Sequence, residues 1–370
     1  MSARRDETPV AHLPAQRLPH RIIVNLLVLV TAITLAYLSI FAVGALVRKG
    51  RQLAERNDAR ASLPNYADFP WASRHFSELK ALQTDYVSYL GWRRRPFAGE
   101  TIVIDATRRI RETPQVVAAA PARAVYFFGG SAMWGTGSDQ IHTIPSAFQR
   151  LAGGRVLNFG ESGWCAHQSL NQLVKLYTEG HRPDVVVFYD GSNEVAEKCR
   201  SDSDFWAIDR ERQIQRALTY PPGEVGYLLQ PIVTAAAAAR RMIGLGPQPR
   251  DYDCDADPRK AELIAEQVAT DWKIAASLVT SYGGRFQAYL QPIVYFSRTR
   301  TDRLRVEPLM REQFEAVYPL IRRKMAALPD TADLSAIFDR DEYIYIDFCH
   351  ISPNGNAIVA ERIARDLGKQ

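Results

Sequence analysis

The sequence predicts an α/β protein. The expected body is a three-layer α/β/α sandwich around a parallel central sheet, preceded by one N-terminal transmembrane helix and a small β-rich preface. Three observations predict it. After Pro121, short apolar runs of strand character alternate with amphipathic helical stretches, the order that builds a parallel sheet covered on both sides. The run 185–189, Val-Val-Val-Phe-Tyr, is apolar throughout, as a strand buried on both faces must be. Near the amino terminus, residues 22–47 contain no charged side chain.

The elements follow in chain order. Residues 1–21 form a polar tail carrying Arg4, Arg5, Arg17 and Arg21. As a helix, 22–47 is about 39 Å long at 1.5 Å per residue, enough to cross a hydrocarbon core of about 30 Å. Ala42-Val43-Gly44 resembles a signal-peptidase site, but the apolar core of a cleaved signal runs only about 7–15 residues, so the segment reads as a retained anchor. Arg48, Lys49, Arg51 and Arg56 on the far side nearly balance the arginines of the tail, so charge does not set the orientation. A short head and a large carboxy-terminal body fit a single-pass signal-anchor in the inner membrane with a periplasmic body.

Residues 48–121 divide into a polar, helix-prone linker to 83, broken by Pro64 and Pro70, and a preface with strand-like runs around Gly91 and Gly99. The main domain is expected over 122–370. Its strands are read at 123–128, 155–159, 185–189, 286–290 and 343–346. Its helices are read at 144–151, 168–178, 307–327 and after Pro353. Residues 197–256 interrupt this rhythm with Pro221-Pro222-Gly223 and five alanines at 235–239, and read as a partly helical insertion, a cap over the site.

Composition narrows the function. A chain of 370 residues with 46% hydrophobic and 24% charged residues is globular, not disordered or collagen-like. A net charge of +5, scattered along the chain, gives no basic stripe for nucleic acid. The mean hydropathy of −0.21 excludes a polytopic membrane protein. Four cysteines are too few for a disulfide scaffold.

In parallel sheets ligands bind where strands end. Four expected strands end in Gly129-Gly130-Ser131, Gly160-Glu161-Ser162-Gly163, Asp190-Gly191-Ser192-Asn193-Glu194 and Asp347-Phe348-Cys349-His350. A serine, a glycine, an asparagine and an Asp-x-x-His pair, in this order, resemble the four blocks of the SGNH (GDSL-type) hydrolases over residues 123–367. The resemblance implies the flavodoxin-like SGNH fold and ester chemistry. Ser131 would be the nucleophile, His350 the base that takes its proton, and Asp347 the carboxylate that orients the imidazole. The Ser131 amide, the Gly163 amide and the Asn193 side chain would form the oxyanion hole. Two positions depart from the family pattern: Gly130 stands where an aspartate usually precedes the nucleophile, and Glu194 where an aspartate usually follows the asparagine.

Other motifs fit less well. Met133 occupies the last glycine of a Gly-x-Ser-x-Gly elbow, and neither a phosphate loop nor a dinucleotide fingerprint is present. Asp251, Asp253, Asp255 and Glu262 have the offsets of a calcium loop, but Ala256 replaces its glycine and Asp257-Pro258 reads as a helix start. No Cys or His pair has zinc spacing, so neither a metal nor another cofactor is expected. Ser131 and Ser352 also suit helix caps, and Asn193 a turn. His142, His167 and His181 read as surface or packing residues. Trp134 and Trp164, beside the nucleophile and the oxyanion glycine, are candidates to stack on a sugar, and Gln291 to line the cleft. The arginines at 93–95 and 298–305 read as solvated surface. Cys165, Cys199, Cys254 and Cys349 allow three pairings, of which Cys199–Cys349 is favoured because both follow catalytic strand ends.

The reading is therefore a membrane-anchored serine esterase acting on O-acyl groups, most simply O-acetyl, of a cell-envelope or exported polysaccharide. Its partners would be the acylated carbohydrate, the membrane through the N-terminal helix and the envelope polysaccharide machinery, with no nucleic acid. A polysaccharide O-acetyltransferase supplied by a polytopic partner is the alternative within enzymology. A catalytically silent glycan-binding scaffold is the alternative outside it, opposed by the intact Ser131, Asn193, Asp347 and His350.

Overall fold

The computed structural model describes residues 20–54, 58–114, 123–201, 214–215 and 252–368. Most of the amino-terminal tail and nearly all of the expected insertion lie outside the described residues. Helix α1 (His20–Ala54) belongs to one compact unit, and the remaining described residues belong to a second. Within α1 the stretch Arg21–Gly44 has a mean hydropathy of 2.5 and none of it is buried, so by length and composition it can cross a membrane or serve as a signal sequence.

The second unit is an α/β sandwich. Its sheet has five parallel strands, β5 (Ala124–Gly129), β6 (Arg155–Asn158), β7 (Val185–Asp190), β8 (Arg285–Leu290) and β9 (Thr331–Asp333), in the order β6-β5-β7-β8-β9. This is the 2-1-3-4-5 order of flavodoxin-like folds. The central strand β7 is buried at every position. Phe159, Phe128, Phe188 and Phe286 form a row across the sheet with successive ring centroids 5.2 Å apart. Each buried ring contributes roughly 1.5–3 kcal/mol by leaving water.

The covering helices pack in two groups. Helix α4 (Ile144–Ala152) packs on α9 (Pro353–Gly368), while α7 (Pro258–Ser281) packs on both α5 (Ala166–Thr178) and α8 (Pro308–Met325). Local chemistry sets their starts. The Thr143 hydroxyl accepts the Ser146 N–H at 3.2 Å, and Asp257 accepts the N–H groups of Arg259 and Lys260, with Pro258 in the first turn.

Several expectations of the fold need correction. Residues 343–346 are not a strand of the sheet; Ile346 N–H donates to the His350 carbonyl and Ser352 N–H to the Ile344 carbonyl, folding the segment back on itself as a small antiparallel hairpin. The fifth strand is β9, whose three residues, Thr-Ala-Asp, carry no strand-like apolar pattern. The linker is structured from residue 58 onward. Two 3₁₀ turns (Ala59–Ser62, Pro64–Tyr66) and α2 (Ala72–Ala81) bury Tyr66, Ala72 and Phe76 in a small core with Ile346. The disulfide joins Cys199 to Cys254, leaving Cys165 and Cys349 as buried thiols. Cys349 lies at the tip of the 344–352 hairpin, where its neighbour is His350.

The β preface is two antiparallel hairpins, β1 (Thr84–Val87) with β2 (Gly91–Arg94) and β3 (Phe97–Ala98) with β4 (Val103–Ile104). The backbone of Arg111 pairs with both Ile104 and Asn158, which joins the preface to the β6 edge of the main sheet. Arg93 and Arg94 are buried, not solvated. Arg111 is fully buried and donates to four carbonyls, those of Thr101, Trp134, Gly135 and Ser138. A buried cation must find acceptors or lose several kcal/mol of hydration, and these carbonyls supply them.

Candidate active site

The sheet order reverses between β5 and β7, which are hydrogen-bonded neighbours whose chains leave toward opposite edges. Such a switch point opens a crevice at the carboxyl ends of the strands. Ser131 leaves β5 at this point, in the first turn of the short helix α3 (Ser131–Trp134). Asn193 leaves β7 in helix α6 (Ser192–Lys198). The loop after β6 supplies Gly163, whose φ of 74° lies in the left-handed region where glycine is favoured.

Close packing explains the departure at position 130. A Cβ on Gly130 would stand 2.2 Å from Asn193 Nδ2 and 3.2 Å from the Trp164 carbonyl. The asparagine amide therefore lies against the backbone that precedes the serine. One of its hydrogens goes to the Trp164 carbonyl at 2.7 Å, and an amide nitrogen carries two. The departure at 194 has an equally local reason. One carboxylate oxygen of Glu194 accepts the Gly191 N–H at 2.7 Å and the other accepts the Ala166 N–H at 2.5 Å. Glu194 thus ties the loop after β7 to the loop after β6. Burial raises the pKa of Glu194 despite those bonds, and burial beside Glu194 raises that of Asp190, whose carboxyl takes the Trp272 N–H at 3.0 Å.

The 344–352 hairpin brings the remaining groups. Asp347 Oδ1 accepts the N–H groups of Cys349 (3.1 Å) and His350 (2.8 Å). Its Oδ2 is 2.7 Å from His350 Nδ1, and His350 Nε2 is 2.6 Å from Ser131 Oγ. A carboxylate only accepts, so Nδ1 carries the hydrogen and Nε2 is left to take the serine proton. Burial alone would lower the His350 pKa, but the Asp347 carboxylate overrides it and raises the imidazole above its ordinary range. Burial alone would raise Asp347, but the imidazole charge and the hydrogen bonds from His350 and Cys349 hold it below the usual carboxylate range.

Ser131, Gly163, Asn193, Asp347 and His350 thus stand at adjoining loops of one sheet end, three of them in a single hydrogen-bonded line. The expected substrate contacts do not. Trp134 and Trp164 are each 1% exposed and offer no face to a sugar. Arg94 and Arg111 stack on Trp134 at 3.7 and 4.4 Å, and Arg93 stacks on Trp164 at 4.6 Å. Gln291 is also buried. Its amide donates to the Cys349 carbonyl at 3.0 Å and its own carbonyl accepts the Tyr318 hydroxyl at 2.9 Å, so it braces the hairpin and does not line a cleft.

Metal-like groupings are accounted for by protein partners. Asp347, Cys349 and His350 place ligand atoms within 4.8 Å of one another, but Asp347 and His350 bond each other and Ser131. Of the calcium-like set, Asp253 pairs with Lys260, Asp255 accepts from Gln313 and Glu262 pairs with Arg323, while Asp251 lies outside the described residues. The Ser352 hydroxyl makes no bond in the described structure and does not cap α9.

Sequence reading missed the residues that brace the site from the preface and the supposed linker. Trp92 Nε1–H donates to the Ser162 carbonyl at 2.9 Å, Asn65 to the Tyr345 carbonyl at 3.1 Å and the Tyr66 hydroxyl to the Gly137 carbonyl at 2.7 Å. No local pattern marks these residues. Also missed was a second Asp-x-x-His, in which His142 Nδ1 meets Asp139 at 2.5 Å.

No family model and no curated protein matches the chain. Solved structures do. One is a member of the lipolytic G-D-S-L family from Veillonella parvula, at 11% identity and a TM-score of 0.39, covering 67% of this chain and all of that one. Another is a carbohydrate acetylesterase family member from Sinorhizobium meliloti, at 16% identity and 0.34, covering 66% and 97%. A third is a catalytic mutant of an acetylxylan esterase from Geobacillus stearothermophilus, at 13% identity and 0.36, covering 68% and 97%. What this chain itself presents is a hydroxyl, an imidazole and a carboxylate aligned at the switch point of a parallel sheet.

Proposed function

We propose that the chain is an SGNH-type serine esterase, anchored in the inner membrane by α1, that removes O-acyl groups, most simply O-acetyl, from a cell-envelope or exported polysaccharide. The observation that carries this reading is the unbroken line from Ser131 Oγ through His350 to Asp347, at 2.6 and 2.7 Å. Ser131 Oγ attacks the ester carbonyl carbon while His350 Nε2 takes the hydroxyl proton. The carbonyl oxygen becomes an oxyanion, received by the amides of Ser131 and Gly163 and by the Asn193 side chain. When the intermediate collapses, the C–O bond to the sugar breaks and His350 returns its proton to the departing alcohol. Water repeats the sequence on the acyl-enzyme, releasing the carboxylic acid and restoring Ser131.

The extracytoplasmic placement is supported by the Cys199–Cys254 disulfide, a bond that persists in oxidising compartments. An envelope or exported polysaccharide is the substrate class inferred from what lies in that location.

The test uses the full chain in detergent with a fluorophosphonate probe and aryl acetates. Labelling and turnover that vanish in Ser131→Ala support the esterase. An unlabelled, inactive parent chain supports the silent scaffold. Turnover that sugar alcohols accelerate beyond the rate in water supports acyl transfer instead.

A further inference from the structure

The catalytic line does not end at Asp347. Arg60 Nη1 lies 3.6 Å from Asp347 Oδ2, the same oxygen that holds His350. Arg60 is not a wandering surface side chain. Asp58 accepts its backbone N–H and its Nε–H at 3.1 Å each, and its Nη2–H at 2.9 Å. The guanidinium also lies over the buried ring of Phe76, 4.7 Å from its centroid. Phe76 packs edge-on against Tyr66, and Asn65 and Tyr66 are bonded to the loops that carry Asp347 and follow Ser131. Two guanidinium bonds to Asp58 and a ring beneath it fix the plane of the guanidinium, and one edge is left facing the catalytic carboxylate.

We propose that Arg60 is a positioning residue of the reaction. Its charge holds Asp347 Oδ2 in place and competes with the imidazolium of His350 for the same carboxylate. Among the described residues, the ionisable groups around the pair are Cys349 beside His350, Arg60 beside Asp347, Asp58 and Tyr66 beside Arg60, and Lys80 near Asp58, with the Ser131 hydroxyl on the far nitrogen of His350. Asp58 is paired with Arg60, and among the described residues Arg60 is the cation beside the carboxylate after His350. A base that must give its proton back gains from such a competitor, because an imidazolium bound too tightly by its carboxylate stays charged at neutral pH. The inference rests on the reading of His350 as the general base.

The sign of the effect is fixed. Without the Arg60 charge, His350 holds its proton more tightly, so neutral imidazole is available only at higher pH. Both side chains are 29% exposed, which limits the interaction to that of a partly screened pair. In the full chain, Arg60→Gln should move the acidic limb of kcat/KM for an aryl acetate upward by roughly half a pH unit, about a threefold loss below the midpoint, with little change in KM. Arg60→Met, which keeps the stem over Phe76 without the charge, should do the same. Arg60→Lys should keep the parent midpoint.

A limb that stays in place in both neutral variants, whether or not activity falls uniformly, overturns the proposal and leaves Arg60 a structural residue. NMR titration of carbon-13-labelled histidine, with His350 assigned through His350→Gln, separates this result from failure of the esterase reading. If the parent cleaves no ester, a higher His350 midpoint in Arg60→Gln still supports the coupling, and an unchanged midpoint overturns it.

Discussion

The chain contains two Asp-x-x-His turns that are nearly alike in local geometry. In both, the first oxygen of the aspartate accepts the histidine N–H, at 3.1 Å in Asp139–His142 and 2.8 Å in Asp347–His350. In both, Nδ1 meets the carboxylate, at 2.5 and 2.7 Å. They differ in what the rest of the ring meets. His142 stacks on Trp71 at 5.8 Å with its edge near Phe69, whereas His350 reaches Ser131 Oγ. The spacing thus builds a carboxylate-oriented imidazole in either place. Only at His350 does another strand end deliver a hydroxyl to the far nitrogen, 219 residues away in sequence, as the proposed general base requires.

Paired substitutions can break that comparison. Ser131→Ala or His350→Ala should lower kcat toward aryl acetates by about 10⁴-fold or more, with KM little changed. Asp347→Asn should cost about 10³–10⁴-fold, and Asp139→Asn less than about twofold. The acidic limb adds a sign. The Asp347 carboxylate raises His350, so the parent limb should lie above the ordinary imidazole value and move to lower pH in Asp347→Asn, while Asp139→Asn leaves it in place. Asn193→Ala should cost about 10²–10³-fold in kcat if its second amide hydrogen meets the oxyanion. The smallest effect is expected for His142→Ala, within about twofold in kcat and seen mainly as a small loss of thermal stability. A loss there as large as that of His350→Ala would sink the distinction between the two turns.

The parts of the site that were legible in the sequence are those written locally. β5, β7 and β8 are six-residue strands with mostly apolar side chains, and Ser131 and Asn193 follow within three residues of the strands that place them. The Asp347–His350 pair is legible because its bonds span three residues. The hairpin that carries it was misread as a strand because Tyr-Ile-Tyr-Ile has strand character and only its partner, the segment returning through Ile351, reveals the turn. β9 was missed because three residues with one apolar side chain are too few to carry a pattern.

The preface is β-rich as expected, but its arginines meet partners that the sequence does not show. Arg93 and Arg94 read as solvated surface in the sequence, and Trp134 and Trp164 as candidates to stack on a sugar. Each buries the other. A tryptophan face accepts a guanidinium, and the guanidinium then spends its hydrogens on carbonyls of the loops around Ser131 and Gly163. Those partners lie tens of residues apart, so neither half announces the pairing. The same holds for Arg60, which meets its carboxylate across most of the domain's length.

The disulfide has a consequence for how the insertion relates to the body. Cys199 and Cys254 are 55 positions apart in sequence, yet their Cα atoms are 5.1 Å apart, and Arg200 pairs with Tyr252 just inside them. The disulfide and the Arg200–Tyr252 pair therefore close a neck in the chain. A peptide bond cut anywhere beyond that neck leaves a single covalent molecule until a reductant is added. Ile214, inside this stretch, packs against the core of Leu90, Trp92 and Trp164, and Asp253 pairs with Lys260 at 2.6 Å, so replacing residues 200–253 by a short turn should lower thermal stability as well as remove the insertion.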